Sequence, residues 1–377
     1  MRSNNYSITV GRPNIGDEKK LHAYLEEIIS SKWLTNNGRF VKELENRLSQ
    51  FTRAKHVIAV SNGTVGLEIA IRSLNLTGEV IVPSYTFVAT AHALTWLGLK
   101  PIFSEIDPQT CNLDPSGLEN LITENTSGII PVNVYGRPAP IREIMDIAQS
   151  HKLKVIFDSA HAFGNSYEGT MIGNFGNAEV FSFHATKFYN TFEGGAITTN
   201  DDVLAERMRA MRNFGFSEGE GASLVGTNGK MNEMSAAMGL VNLDSINEFV
   251  EVNSRCYRIY KEMLHDLPGI TLLEYDENEK CNFQYVIIMI DEEAAGYSRD
   301  QLFIFLHHKG INTRKYFYPG CHRMEPYKTL FPDLQDHLPI TDRIASQVLA
   351  LPTGKLVSPA DIRYITKLIK EMSDYIE

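Results

Sequence analysis

The chain has 377 residues, 43% of them hydrophobic and 22% charged, with a formal net charge of −10. That composition is ordinary for a folded globular protein and leaves material for a large core and more than one domain. The acidic balance argues against a nucleic-acid partner, which needs a basic face, and no run approaches the roughly eighteen apolar residues that make a membrane helix.

Met1–Tyr6 is polar and lacks the apolar stretch of a signal peptide. Residues 56–60 form a buried-strand pattern that ends at Ser61-Asn62-Gly63-Thr64, and an apolar helical pattern follows from residue 65. Strands are expected at 79–83 and 100–103, with a helix over 89–97 between them. A strand over 128–134, a helix over 141–151 and a strand over 153–158 come next. Strands at 179–183 and 195–199 complete the series, and a helix is expected over 234–242. Near-continuous apolar strands alternating with helices indicate a mainly parallel sheet covered on both faces. From residue 246 the texture changes to a long helical pattern through 264, a strand over 283–289, a helix over 299–309 and a closing helix over 359–376. The expectation is an α/β chain with a large domain over 1–245 and a smaller C-terminal α/β domain over 246–377. The four cysteines, Cys111, Cys256, Cys281 and Cys321, form no CxxC pair. Free thiols in a reducing cytosol, with no metal site, are expected.

Ligands of such sheets sit beyond the C-terminal ends of the strands. Asp158 ends one of those strands, and Ser182 and Lys187 follow another in Ser182-Phe183-His184-Ala185-Thr186-Lys187. A lysine, a carboxylate and a hydroxyl at strand ends are what pyridoxal 5′-phosphate (PLP) needs. The amine bonds the cofactor aldehyde, the carboxylate keeps a proton on the pyridine nitrogen, and the hydroxyl helps bind the phosphate. Taken singly, Asp158 is equally a turn former, His161 a structural histidine, and Lys187 a solvated lysine. Burial between two strands, with a cation nearby, is expected to lower the Lys187 pKa and favour its nucleophilic form. Gly63-Thr64 opens a helix after a strand, which makes an anion site. Phe87 offers a ring to a flat heterocycle or to the core. Asn228, in a glycine-flanked loop, is a surface residue or a second phosphate contact. No GxGxxG turn follows the first strand, which counts against a dinucleotide-dependent dehydrogenase.

The runs Ser61-Asn62-Gly63-Thr64, Pro83-Ser84-Tyr85-Thr86-Phe87-Val88-Ala89-Thr90, Asp158-Ser159-Ala160-His161, Ser182 to Lys187, Glu193-Gly194-Gly195-Ala196 and Gly229-Lys230-Met231-Asn232-Glu233 resemble the DegT/DnrJ/EryC1/StrS nucleotide-sugar aminotransferases. The resemblance implies PLP-dependent transferase fold type I, with a seven-stranded large domain, and a homodimer with shared active sites. It implies Lys187 as the cofactor-linked lysine, Asp158 at the ring nitrogen, His161 near the phenolic oxygen and Phe87 on the ring face. Gly63, Thr64 and Ser182 would bind phosphate, with Asn228 reaching in from the other subunit, and His184 and Tyr318 would meet substrate. His161 stands where many members carry glutamine. Some members carry histidine in place of the lysine and are dehydratases; the intact Lys187 favours transamination. The implied reaction moves an amine from L-glutamate to a nucleotide-linked keto-6-deoxysugar, foremost dTDP-4-keto-6-deoxy-D-glucose. The alternatives are amination at C3 of a dTDP-3-keto-6-deoxyhexose and dehydration.

Overall fold

The computed structural model describes residues 7–217, 221–332 and 338–375. The polar Met1–Tyr6 segment and position 376, at the end of the expected closing helix, lie outside them.

Seven strands form the main sheet, in the order His56–Val60, Gly195–Thr199, Ala178–Ser182, Lys154–Asp158, Thr126–Ile129, Glu79–Pro83 and Lys100–Ser104. Six run parallel; Gly195–Thr199 runs antiparallel to both its neighbours. Alternate strand residues feed two cores, as the pleat requires. Val57, Ala59, Ile81, Val155, Phe157 and Phe181 pack with the helices Arg39–Thr52, Ile141–Ser150 and Glu233–Asp244. Ile58, Val60, Val80, Val82, Ile156 and Val180 pack with Gly63–Ser73, Ala89–Trp96 and Asp202–Arg212 on the other face. Gly66 permits that second layer to lie close: a Cβ there would stand 2.9 Å from a Val180 methyl.

The second half of the chain carries a three-stranded antiparallel sheet, Ile270–Leu272, Val286–Ile290 and Val348–Leu351, packed against the helices Ile246–Leu264 and Pro359–Lys370. Ser245 alone separates the Glu233–Asp244 and Ile246–Leu264 helices. The N-terminal strand Ile8–Thr9 pairs with Ile311–Asn312. A further apolar cluster joins Tyr85, Val132 and Tyr135 to Ile287, Phe317 and Val348, so a continuous core links the two halves.

Several elements differ from the sequence reading. The strand expected over 128–134 stops at Ile129, and Val134–Gly136 forms a turn with Tyr135 at φ 56°. Backbone bonds to Ile81 and Asp158 continue through Asn133, and side chains take over beyond it: Asn112 Oδ1 accepts from the Val134 N–H, and Asn133 Oδ1 from the Ala139 N–H. The strand expected over 283–289 starts at Val286, after Phe283 at φ 48°. The closing helix ends at Lys370, with a short 3-10 turn over Met372–Tyr375. Helices over Glu18–Ser31, Arg39–Thr52, Asp202–Arg212 and Pro339–Gln347, and the strand Val348–Leu351, were not expected. Among the described residues no helix is long and apolar enough to cross a membrane.

Candidate active site

The C-terminal ends of Lys154–Asp158 and Ala178–Ser182 open onto a cleft of roughly 660 Å³, roofed by the first turns of Gly63–Ser73 and Ala89–Trp96. Gly63, Thr64, Phe87, Asp158, His161, Ser182, His184 and Lys187 all line it.

Asp158 is buried at its strand end. Its Oδ1 accepts the Ala160 N–H at 3.1 Å and its Oδ2 accepts the Thr90 hydroxyl at 2.8 Å. Burial raises its pKa above the ordinary value, while the Thr90 hydroxyl, the Ala160 N–H and the Lys187 charge pull the other way. Those three partners favour the ionised form that the site needs.

Lys187 is half-buried, and its Nζ donates to the Tyr285 hydroxyl at 3.3 Å. Burial lowers its pKa to about 8, against a smaller upward pull from Asp158. The expected depression is present and its cause is desolvation; the expected neighbouring cation is replaced by the Asp158 anion. His161 is buried and neutral, its pKa held well below the usual range by burial and then by Lys187. Its Nδ1 accepts the Tyr135 N–H at 3.2 Å, which puts the ring proton on Nε2. The ring lies parallel to Phe317, with centroids 5.7 Å apart.

The Gly63–Ser73 helix supplies the anion-binding end. Asn62 Oδ1 accepts from Val65 N–H and its carbonyl from Gly66 N–H, so the N–H groups of Gly63 and Thr64 are the ones left to the cleft. Ser182 sits against that turn; a Cβ on Gly63 would approach the Ser182 Cβ to 3.1 Å. Phe87 is 59% exposed, with its face available to a flat ring. His184 is exposed at the rim, its Nδ1 2.8 Å from Thr186 Oγ1 and its Nε2 3.5 Å from Glu193.

Two residues stand elsewhere. Asn228 is exposed, bridged to Asn213, and outside the cleft. Tyr318 is 47% exposed and lies against the Arg299 guanidinium and the Lys315 ammonium, while Tyr316 and Phe317 face the cleft instead. Thr90, Tyr285, Tyr316, Phe317 and Glu193 belong to the cleft without having been assigned a role from sequence. Thr90 meets Asp158 across 68 residues of chain, and Phe317 meets His161 across a longer separation still, beyond any local pattern.

An amine of lowered pKa, a buried carboxylate, a helix N-terminus with hydroxyls and a flat ring at the wall make a donor set that fits PLP. Among the described residues no cluster of three or more His, Cys, Asp or Glu is placed to hold a metal ion.

Comparison with known proteins agrees with this chemistry. Residues 16–370 match the model of the DegT/DnrJ/EryC1/StrS aminotransferase family. The dTDP-4-amino-4,6-dideoxy-D-glucose transaminase of Shigella dysenteriae is 38% identical over 373 residues, covering 97% of this chain and 99% of that one. GDP-perosamine synthase of Caulobacter vibrioides is 34% identical, covering 94% and 95%. The crystal structure of DesI in the presence of its TDP-sugar product superposes with a TM-score of 0.92 at 43% identity, over 98% of this chain and 94% of that one. With the sheet, the strand-end lysine and aspartate and the full-length match in agreement, this chain belongs to the DegT/DnrJ/EryC1/StrS aminotransferase family.

Proposed function

We propose that this chain is a PLP-dependent aminotransferase that transfers the amine of L-glutamate to C4 of dTDP-4-keto-6-deoxy-D-glucose, in the cytoplasm and as a homodimer. The observation that carries the reading is the convergence of Lys187 and Asp158 on one cleft with an anion-binding helix end. The 38% and 43% identities to proteins named for a dTDP-4-amino sugar and a TDP-sugar product support the substrate.

Bound PLP supplies an aldehyde that exchanges amines and a ring that, when protonated, takes up the electrons left as a C–H bond breaks. The residues do the rest. Lys187 would hold the cofactor covalently through Nζ, and, once displaced by the amino donor, would carry a proton between carbon atoms. With a pKa near 8, about a tenth of its amine is neutral at pH 7, against well under a thousandth at the ordinary 10.5. Asp158 would hold the ring-nitrogen proton by charge. His161, an Nε2–H donor, would meet the phenolic oxygen, and Phe87 would cover one ring face. Gly63, Thr64 and Ser182 would bind the phosphate, with Asn228 supplied by the second copy. His184 and Tyr318 would meet the sugar nucleotide.

The test is an assay of purified enzyme with PLP, L-glutamate and separate 4-keto and 3-keto dTDP-deoxysugars. The expected result is stoichiometric 2-oxoglutarate and a C4 amine located by NMR. An amine at C3 replaces the substrate assignment, and deoxygenated sugar without glutamate consumption replaces transamination by dehydration.

A further inference from the structure

Thr90 is the second residue of the Ala89–Trp96 helix and is fully buried. Its Oγ1 lies 2.8 Å from Asp158 Oδ2, 3.0 Å from Thr86 Oγ1 and 3.2 Å from the Phe87 carbonyl. A threonine hydroxyl has one proton. An ionised carboxylate is the stronger acceptor, so that proton goes to Asp158, and Thr86, also buried, donates into Thr90. The hydroxyl chain therefore runs Thr86 to Thr90 to Asp158. The other carboxylate oxygen is taken by the Ala160 N–H of Asp158's own strand exit. One oxygen is thus fixed by the sheet and the other by the helix across the cleft, which sets the rotation of the carboxylate plane. The Lys187 amine also acts on the carboxylate through its charge, and the neutral His161 ring lines the same cleft. Neither is tied to either oxygen by a hydrogen bond among the described contacts.

We propose that Thr90 is a positioning residue: with Thr86 behind it, it holds the Asp158 carboxylate in the orientation that meets the cofactor's ring nitrogen. This rests on the PLP reading above. Phe87 stands just before this helix, its carbonyl accepting the Thr90 N–H, so one segment aims the ring-covering aromatic and the ring-nitrogen carboxylate together.

The experiment measures the affinity of cofactor-free enzyme for PLP and for its 1-deaza analogue, in which CH replaces the ring nitrogen. Wild type, Thr90→Val, Thr90→Ser and Thr86→Val are compared, with thermal unfolding of each cofactor-free protein as a control on folding. Thr90→Val is expected to weaken PLP binding about tenfold, the scale of one hydrogen bond to a charged group. It should leave deaza-analogue binding within about twofold. Thr90→Ser should restore PLP binding, and Thr86→Val should show the same ligand selectivity at smaller size, about threefold. Equal weakening of both ligands by the valine variants means Thr90 only packs, and overturns the proposal. So does unchanged PLP affinity in Thr90→Val, or a serine variant that rescues nothing. If Thr90→Val fails to fold, the Thr86→Val selectivity decides. Wild type that takes up no PLP at all overturns the cofactor reading, a result separate from the failure of Thr90 alone.

Discussion

Lys187 is a cation kept where its charge is disfavoured, and that is what its chemistry requires. Its folded pKa is about 8 and its unfolded value 10.5. Between those values the unfolded chain holds a proton that the folded chain has released, so stability rises with pH there; below 8 the full penalty stands. In cofactor-free enzyme, Lys187→Met should therefore raise stability at pH 7, by at most about 3 kcal/mol less what Asp158 loses as a partner. The gain should shrink from pH 8 to 10.5 in denaturant midpoints. A gain that is flat with pH would mean the lysine is not desolvated. At this scale sequence served well where residue type at a strand end dictates chemistry: Asp158, Ser182 and Lys187 reach one cleft. It is silent on how 316–318 divides: Tyr316 and Phe317 line the cleft while Tyr318 lies against Arg299 and Lys315, which backbone direction decides and composition does not.

Elements are joined by buried polar side chains that no local pattern reveals. Gly38 begins the Arg39–Thr52 helix without a side chain to cap it. Glu233 does so from afar, accepting the Gly38 and Phe40 N–H groups at 3.0 and 2.8 Å. No local cap residue therefore marks the start of this helix, whereas Asn62 caps Gly63–Ser73 from its own turn. Glu179 plays the same part behind the site. It accepts from Ser159 Oγ and from the N–H groups of Gly173 and Phe175, tying the Lys154–Asp158 strand exit to the 173–175 turn. Burial raises its pKa to about 7. Glu179→Ala would strand one hydroxyl and two N–H groups in a dry core. A loss of about 2–5 kcal/mol is expected in urea unfolding, along with weakened cofactor retention. A loss under about 0.5 kcal/mol would show the carboxylate is dispensable.

At the scale of the whole molecule, the second half of the chain reaches the cleft through Tyr285, Tyr316 and Phe317. The Tyr85 and Tyr135 hydroxyls lie 2.5 and 2.6 Å from the Tyr316 carbonyl and 2.7 Å from each other. Two protons serve three contacts, so each hydroxyl partly substitutes for the other. Tyr85→Phe and Tyr135→Phe should each cost about 1 kcal/mol, and the double variant should cost measurably more than the sum, because only it leaves the carbonyl bare. KM for the sugar nucleotide should rise more than kcat falls. Strict additivity in denaturation would mean the tyrosines act separately. The strand positions of the main sheet were readable as short apolar runs, since buried strands leave that mark, but the bounds of Thr126–Ile129 and the antiparallel direction of Gly195–Thr199 were not. In the short antiparallel sheet only Val286–Ile290 left such a run; Val348–Leu351 follows the Pro339–Gln347 helix with no turn residue between. The Ile8–Thr9 to Ile311–Asn312 pairing spans the chain and has no local signature.

The most direct measurement is borohydride reduction of PLP-loaded enzyme, which fixes an amine-to-aldehyde linkage, followed by peptide mapping. One cofactor-derived mass per chain is predicted, on the peptide containing Lys187, and none in Lys187→Ala. The label on another lysine, or a labelled and fully active Lys187→Ala variant, would contradict the account.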